Sequence, residues 1–140
     1  MTVRDVMTAN PTCCTKDTPL QDVAQMMVTC DCGEIPVVDS EKTRQPVGVV
    51  TDRDIVCRAV AEGRNPKDLK ADAVMTSPAV TIAVDGSIDE VVKLMETHQI
   101  RRVPVVDQDG GICGIVSQAD IARHEPGNET GELVREVSAK

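Results

Sequence analysis

Two stretches of this chain carry the same polar trio. Gly48, Thr51 and Asp54 are spaced Gly-x-x-Thr-x-x-Asp, and Gly114, Ser117 and Asp120 repeat that spacing. Each trio follows a β-branched apolar run and precedes a helical pattern, so each falls where a strand should turn into a helix. At such a point the first backbone N–H groups lack intrahelical partners and the helix dipole presents its positive end, which favours anions. A hydroxyl three residues ahead of a carboxylate suits phosphate and ribose together. The hydroxyl and nearby N–H groups donate to phosphate oxygens, while the carboxylate accepts from the 2′- and 3′-hydroxyls. The same pair also reads as an ordinary capping box that satisfies a helix start and binds nothing. Its presence in two copies, each beside a Pro-containing β run, weighs toward a ligand site.

The elements that position these trios are themselves duplicated. Val6-Met7-Thr8 returns as Val74-Met75-Thr76, and Ile35-Pro36-Val37-Val38-Asp39 returns as Val103-Pro104-Val105-Val106-Asp107. Each half has a short helical lead-in ending at Met7 or Met75 and an extended stretch through Thr12-Cys13 or Ala79-Val80. A helix then starts at Thr18-Pro19-Leu20-Gln21 or Ser87-Ile88-Asp89-Glu90, both with N-cap and capping-box signals. Leu20, Val23 and Met27 share a helical face, as do Ile88, Val91 and Met95. Two strands follow, Ile35 to Val38 and Val47 to Thr51, then Val103 to Val106 and Ile112 to Ser117. A second helix runs from Asp52 to about Ala61, and its counterpart from Gln118 to near His124. The chain thus divides into a first repeat at 1–63, a linker at 64–70, a second repeat at 71–124 and a tail at 125–140, whose Glu132 to Val137 segment carries a narrow apolar stripe. The fold class is α/β (α+β): two β-α-β-β-α repeats too small to bury a generous core singly, paired about a pseudo-twofold axis that leaves matching clefts.

The two halves differ where a phosphate would lie. Arg101 and Arg102 precede the second Pro-Val-Val strand, but Gly33 and Glu34 stand there in the first. A guanidinium fork suits phosphate and a carboxylate repels it. One well-formed phosphate site is expected, with the other weaker or selective for a ligand of lower charge. Arg53 offers a compensating charge beside Asp54.

Composition excludes several classes. A net charge of −8 disfavours nucleic-acid backbones and anionic membranes, and the absence of Phe, Tyr and Trp removes base-stacking platforms. The chain shows neither a secretory signal nor a bilayer-spanning run, so a cytoplasmic location is expected. Six cysteines are read as reduced thiols, with Cys57 and Cys113 as small core hydrophobes. Cys13, Cys14, Cys30 and Cys32 do not follow zinc-site spacing, and His98 and His124 supply two ligands at most, so no metal is assigned. No nucleophile–base pair, Walker loop or GxGxxG argues for an enzyme.

In combination, Val-Met-Thr, the helix, Pro-Val-Val-Asp and Gly-Val-Val-Thr-Asp-Arg-Asp-Ile resemble a tandem pair of cystathionine-β-synthase (CBS) domains, a Bateman module. The resemblance extends from Val6 to Arg123 and is greatest to the small free-standing bacterial proteins of the hypoxic response protein type. It implies a non-catalytic sensor that binds adenosine-containing ligands in clefts between the repeats, AMP, ADP or ATP first, with NAD or S-adenosylmethionine as alternatives. Asp54 and Asp120 would grip ribose, with Thr51 and Ser117 assisting. Arg101 and Arg102 would hold phosphate. The backbone and aliphatic surface around Ile35-Pro36 and Val103-Pro104 would sandwich adenine, and main chain at Thr12 and Val80 would meet its edge. The resemblance also implies a homodimer whose occupancy is read by a regulated partner protein. A structural dimerisation unit with degenerate clefts and a thiol or zinc sensor are the alternatives.

Overall fold

The computed structural model describes residues 1–124. They form two compact units that do not follow the repeat boundaries. A continuous unit spans Thr12–Ala79, and a split unit combines Met1–Pro11 with the described residues from Val80 to His124. Each lead-in segment therefore folds with the other repeat's strands, not with the strands that follow it.

In the split unit, α1 (Val3–Val6) leads into β1 (Thr8–Ala9); β5 (Ile82–Ala83), α4 (Ile88–His98), β6 (Arg102–Val106), β7 (Ile112–Ser117) and α5 (Gln118–His124) complete it. Its sheet runs β1-β7-β6-β5, with β1 antiparallel to β7 and β5 parallel to β6. The continuous unit holds β2 (Cys14–Thr15), α2 (Leu20–Cys30), β3 (Glu34–Val38), β4 (Pro46–Thr51) and α3 (Asp52–Ile55). Its sheet order is β2-β3-β4, and Thr76 bridges antiparallel to Val49 on the free side of β4, as Thr8 pairs with Ile115 on β7. This crossing explains the repeated glycine. A Cβ on Gly48 would lie 2.7 Å from the Thr76 carbonyl oxygen, and one on Gly114 would meet the Met7 thioether and Thr8 oxygen.

Alternation along the strands builds the cores. Ile35, Val37 and Val50 point into one cluster with Leu20, Val23 and Met27; Val103, Val105 and Val116 join Ile88, Val91 and Met95 in the other. Burying each such side chain stabilises by roughly 1.5–3 kcal/mol. Helices α2 and α4 end alike, at Asp31 (φ 52°) and Gln99 (φ 56°) in the left-handed region. The following amides return to carbonyls five residues back, Cys32 to Met27 and Ile100 to Met95, each at 3.0 Å.

Their starts differ. Ser87 caps α4 as expected, its hydroxyl accepting from the Glu90 amide at 3.1 Å. Thr18 does not cap α2. Its hydroxyl turns back to accept from the Thr15 amide at 3.0 Å, Pro19 takes the cap position, and the Leu20 amide donates to the Leu69 carbonyl at 2.9 Å. The linker itself thus satisfies this helix start. The short strands β2 and β5 begin at Cys14 and Ile82, two residues beyond Thr12 and Val80. The apolar stripe expected in the tail lies outside the described residues.

Candidate functional site

Both polar trios fold into capping boxes. Thr51 Oγ1 accepts from the Asp54 amide at 3.0 Å while Asp54 Oδ2 accepts from the Thr51 amide at 3.0 Å. Ser117 Oγ accepts from the Asp120 amide at 3.1 Å, and Asp120 Oδ2 accepts from the Ser117 amide at 2.9 Å. The first residue of each helix is locked to the sheet as well: the Asp52 amide donates to the Gly33 carbonyl and the Gln118 amide to the Arg101 carbonyl, both at 2.9 Å. Asp54 and Asp120, 8% and 5% exposed, are the buried charged residues among those described. Each therefore spends one carboxylate oxygen on its helix start and has one, Oδ1, directed elsewhere.

The second oxygens meet different company. Asp54 Oδ1 accepts from Thr76 Oγ1 at 3.1 Å and lies 4.0 Å from Arg58 Nε. Arg58 is in turn pinned by the carbonyls of Val74 and Met75, at 3.0 and 2.8 Å. Among the described residues Asp120 Oδ1 is bound by Arg123, whose side chain is 69% exposed. Sequence reading passed over Arg58, Arg123 and Thr76. The helix expected from Asp52 to about Ala61 is α-helical only to Ile55, and Arg58 lies in the π-helical turn Val56–Val60 that continues it. The two arginines still carry a findable signal, standing four and three residues after their aspartates. Thr76 had none, because its approach depends on the exchanged lead-in. Arg53 is exposed, and Arg58 rather than Arg53 supplies the cation at Asp54.

Strand register assembles the rest. Glu34 pairs with Thr51 and Pro36 with Val49; Arg102 pairs with Ser117 and Pro104 with Ile115. Opposed residues of an antiparallel pair share a face, and neighbours along a strand alternate. Arg102, Pro104 and Ser117 therefore share the face opposite Val103, and Glu34, Pro36 and Thr51 the face opposite Ile35. Ile35 and Val103, offered with their surroundings as adenine contacts, are 1% and 0% exposed and join the cores. Their side chains are spent on packing, and Pro36 and Pro104 on the opposite face are buried as well. Arg101 is exposed, Arg102 half-buried, Thr12 exposed and Val80 half-buried. Thr12 Oγ1 accepts from the Cys30 thiol at 3.3 Å.

The cysteines do not form one cluster. Cys14 is buried, Cys13, Cys32 and Cys113 are half-buried, and Cys30 and Cys57 are exposed, so Cys57 is not the core residue its apolar surroundings suggested. Burial pushes the Cys14 thiol up to about 12, with Cys13 beside it adding to the rise. Burial also raises Cys13, opposed by the Arg44 guanidinium, which donates to its sulfur at 3.3 Å. Among the described residues no three His, Cys, Asp or Glu side chains converge as metal ligands. His98 and His124 are exposed at the ends of α4 and α5. No helix among the described residues is long and apolar enough to cross a membrane.

Duplicated strand-to-helix boxes, each beside a Pro-containing strand, agree with a profile of the CBS domain that matches residues 3–60 and 70–127. The chain belongs to the CBS-domain family. Hypoxic response protein 1 of Mycobacterium tuberculosis is 35% identical over 97% of this chain and 93% of its own length. A solved structure of Hypoxic Response Protein I, with two coordinated zinc ions, superposes with a TM-score of 0.82 at 37% identity, covering 90% of this chain and all of that one. Protein MK0525 of Methanopyrus kandleri is 37% identical over 88% of this chain, which spans 59% of that protein's length. Two more distant CBS structures hold adenosine compounds. The CBS pair of MJ0100 contains 5′-methylthioadenosine and S-adenosyl-L-methionine (TM-score 0.78, 27% identity, 91% of this chain and 97% of that one). CBSX2 contains AMP (TM-score 0.75, 26% identity, 88% and 94%).

Proposed function

We propose that this chain is a non-catalytic regulatory module that binds an adenosine-containing small molecule and passes its occupancy to a partner protein. The carrying observation is the Ser117–Asp120 box with Arg102 as the cross-strand neighbour of Ser117. In this reading Asp120 Oδ1 accepts from ribose hydroxyls once Arg123 yields it, and Arg102 on the same strand pair supplies a fork for phosphate. The main chain and aliphatic groups around Val103-Pro104 would hold adenine, with main chain at Val80 meeting its edge and Arg101 adding positive charge. The corresponding set Thr12, Pro36, Thr51 and Asp54 has Glu34 in the place of Arg102, so it favours a ligand of lower negative charge. AMP, ADP or ATP is the ligand class for the first set; NAD and S-adenosylmethionine are alternatives. The relatives holding AMP, 5′-methylthioadenosine and S-adenosyl-L-methionine support the adenosine class.

Occupancy carries information only if the ligand prefers one arrangement of the protein. A homodimer in the cytoplasm, read by a separate effector, is the form proposed for that response. The test exploits the absence of Phe, Tyr and Trp. The purified protein is nearly transparent near 280 nm, so co-purified nucleotide stands out near 260 nm. Calorimetric titration with adenosine, AMP, ATP and S-adenosylmethionine should show saturable binding, accompanied by a shift in sedimentation or melting temperature. Failure of all four to bind sinks the proposal.

A further inference from the structure

We propose that Arg123 is a displaceable counter-ion of Asp120 that makes the site select phosphorylated ligands over nucleosides. This rests on the ribose-binding reading of Asp120. One oxygen of Asp120 is committed to the helix start through the Ser117 amide, so a ribose diol must use Oδ1. In the structure that oxygen is held by the Arg123 guanidinium. A buried carboxylate without a counter-charge is costly, and Arg123 supplies one while the site is empty. Because its side chain is 69% exposed and makes no other hydrogen bond among the described residues, it has room to swing away. An uncharged nucleoside displaces the guanidinium and gives it nothing in return. A nucleotide offers phosphate oxygens to the released fork, which stays on the same helical turn as the carboxylate. The exchange therefore penalises the nucleoside and rewards the nucleotide.

The continuous unit lacks this device. Position 57, equivalent to Arg123, is a cysteine, and the cation near Asp54 is Arg58, clasped by two carbonyls. Thr76 holds the same carboxylate oxygen from the other side. Asp54 is thereby built into a fixed clasp on the Val74-Met75-Thr76 segment, whereas Asp120 has a movable partner. The two copies of one motif thus have different jobs.

Titration of the full chain with adenosine and with ATP, in wild type, Arg123→Gln and Arg58→Gln, tests this. An exposed ion pair is worth a modest amount, so Arg123→Gln should tighten adenosine about two- to fivefold and weaken ATP by about the same factor. Arg58→Gln removes the same charge beside the other aspartate and serves as the comparison: it should lower the melting temperature and leave ATP affinity, assigned to the Asp120 set, within about twofold. The proposal is overturned if Arg123→Gln moves both ligands in one direction, moves neither, or is matched by Arg58→Gln. Absence of binding by wild type and both variants instead removes the ribose reading on which it stands. Arg123 lies on the exposed face of α5, and circular dichroism of the variant checks that it folds.

Discussion

Asp54 and Asp120 close the same box at the same point of a duplicated sequence, yet their outer oxygens serve different ends. Asp54 is caught between Thr76 and an arginine that is itself tied to two carbonyls. Among the described residues, Asp120 meets one exposed arginine there. Duplication preserved what the helix start requires locally, a hydroxyl and a carboxylate three apart. What lies one contact further out was free to diverge, because the cap does not depend on it. A repeated motif therefore identifies a shared structural need; a difference in function is to be sought in the neighbours.

The largest expected effect comes from making the two sets alike in charge. Arg102→Glu puts in the split unit what Glu34 puts in the continuous one, directly across the strand pair from the box hydroxyl. Losing a charge-assisted bond worth roughly 1.5–3 kcal/mol should weaken ATP at least about tenfold, while adenosine changes little. Calorimetry with both ligands reads this. Equal losses for adenosine and ATP would mean that Arg102 supports the site without touching phosphate.

Removing each carboxylate should separate stability from binding. Asp54→Ala strands the Thr51 amide, the Thr76 hydroxyl and Arg58 together, a loss of about 2–4 kcal/mol by denaturant unfolding. Asp120→Ala loses one cap and an exposed pair, about 1–2 kcal/mol. Binding should run the other way, with Asp120→Ala weakening ATP more than Asp54→Ala does. A single order for both readouts would erase the division of labour between the copies.

The glycines give a smaller contrast. A Cβ on Gly48 meets the backbone oxygen of Thr76 at 2.7 Å, which cannot yield without moving the segment that Arg58 clasps. A Cβ on Gly114 meets first the Met7 side chain, which can rotate away, although the Thr8 oxygen lies 3.1 Å off. Gly48→Ala is expected to destabilise by about 1–3 kcal/mol and Gly114→Ala by less, measured as denaturation midpoints. A larger loss at Gly114 would show that the continuous unit is the more adaptable of the two at this crossing.

Much of this architecture was legible because it depends on local pattern. Alternating Val and Ile runs placed β3, β4, β6 and β7 to within a residue or so, and Ser87 announced the start of α4. Thr18 carried the same signal and misled, since the Leu69 carbonyl from the linker, distant in sequence, supplied the partner that Leu20 needed. The exchange of lead-ins was equally hidden. Val-Met-Thr is written before each repeat, but nothing local says that each copy pairs with the strand of the other. For the same reason the Thr76 contact to Asp54 was beyond reach, while Arg58 and Arg123 were visible in principle as helical neighbours.

The smallest contrast concerns the short strands β2 and β5, where Cys14 occupies the place of Ile82 and pairs with Val37 as Ile82 pairs with Val105. Burial holds the Cys14 thiol neutral and pushes it up to about 12, above the ordinary value of 9.0. A group whose folded value is raised contributes its stability fully below the unfolded value and loses it as pH climbs through the folded one. Wild type should therefore weaken relative to Cys14→Val between pH 9 and 12. The gap should reach roughly 1 kcal/mol at pH 10, because a tenfold excess of thiolate over thiol in the unfolded chain is worth about 1.4 kcal/mol. At pH 7 the two should differ by less than about 1 kcal/mol, valine being an apolar replacement of similar size. Denaturant midpoints at pH 7, 9 and 10 measure the gap; titrating groups that do not interact with Cys14 cancel in the difference, and a Cys13→Ser background removes the neighbouring thiol that does. A gap that does not widen above pH 9 would mean that Cys14 reaches solvent and that β2, unlike β5, is not sealed into its core.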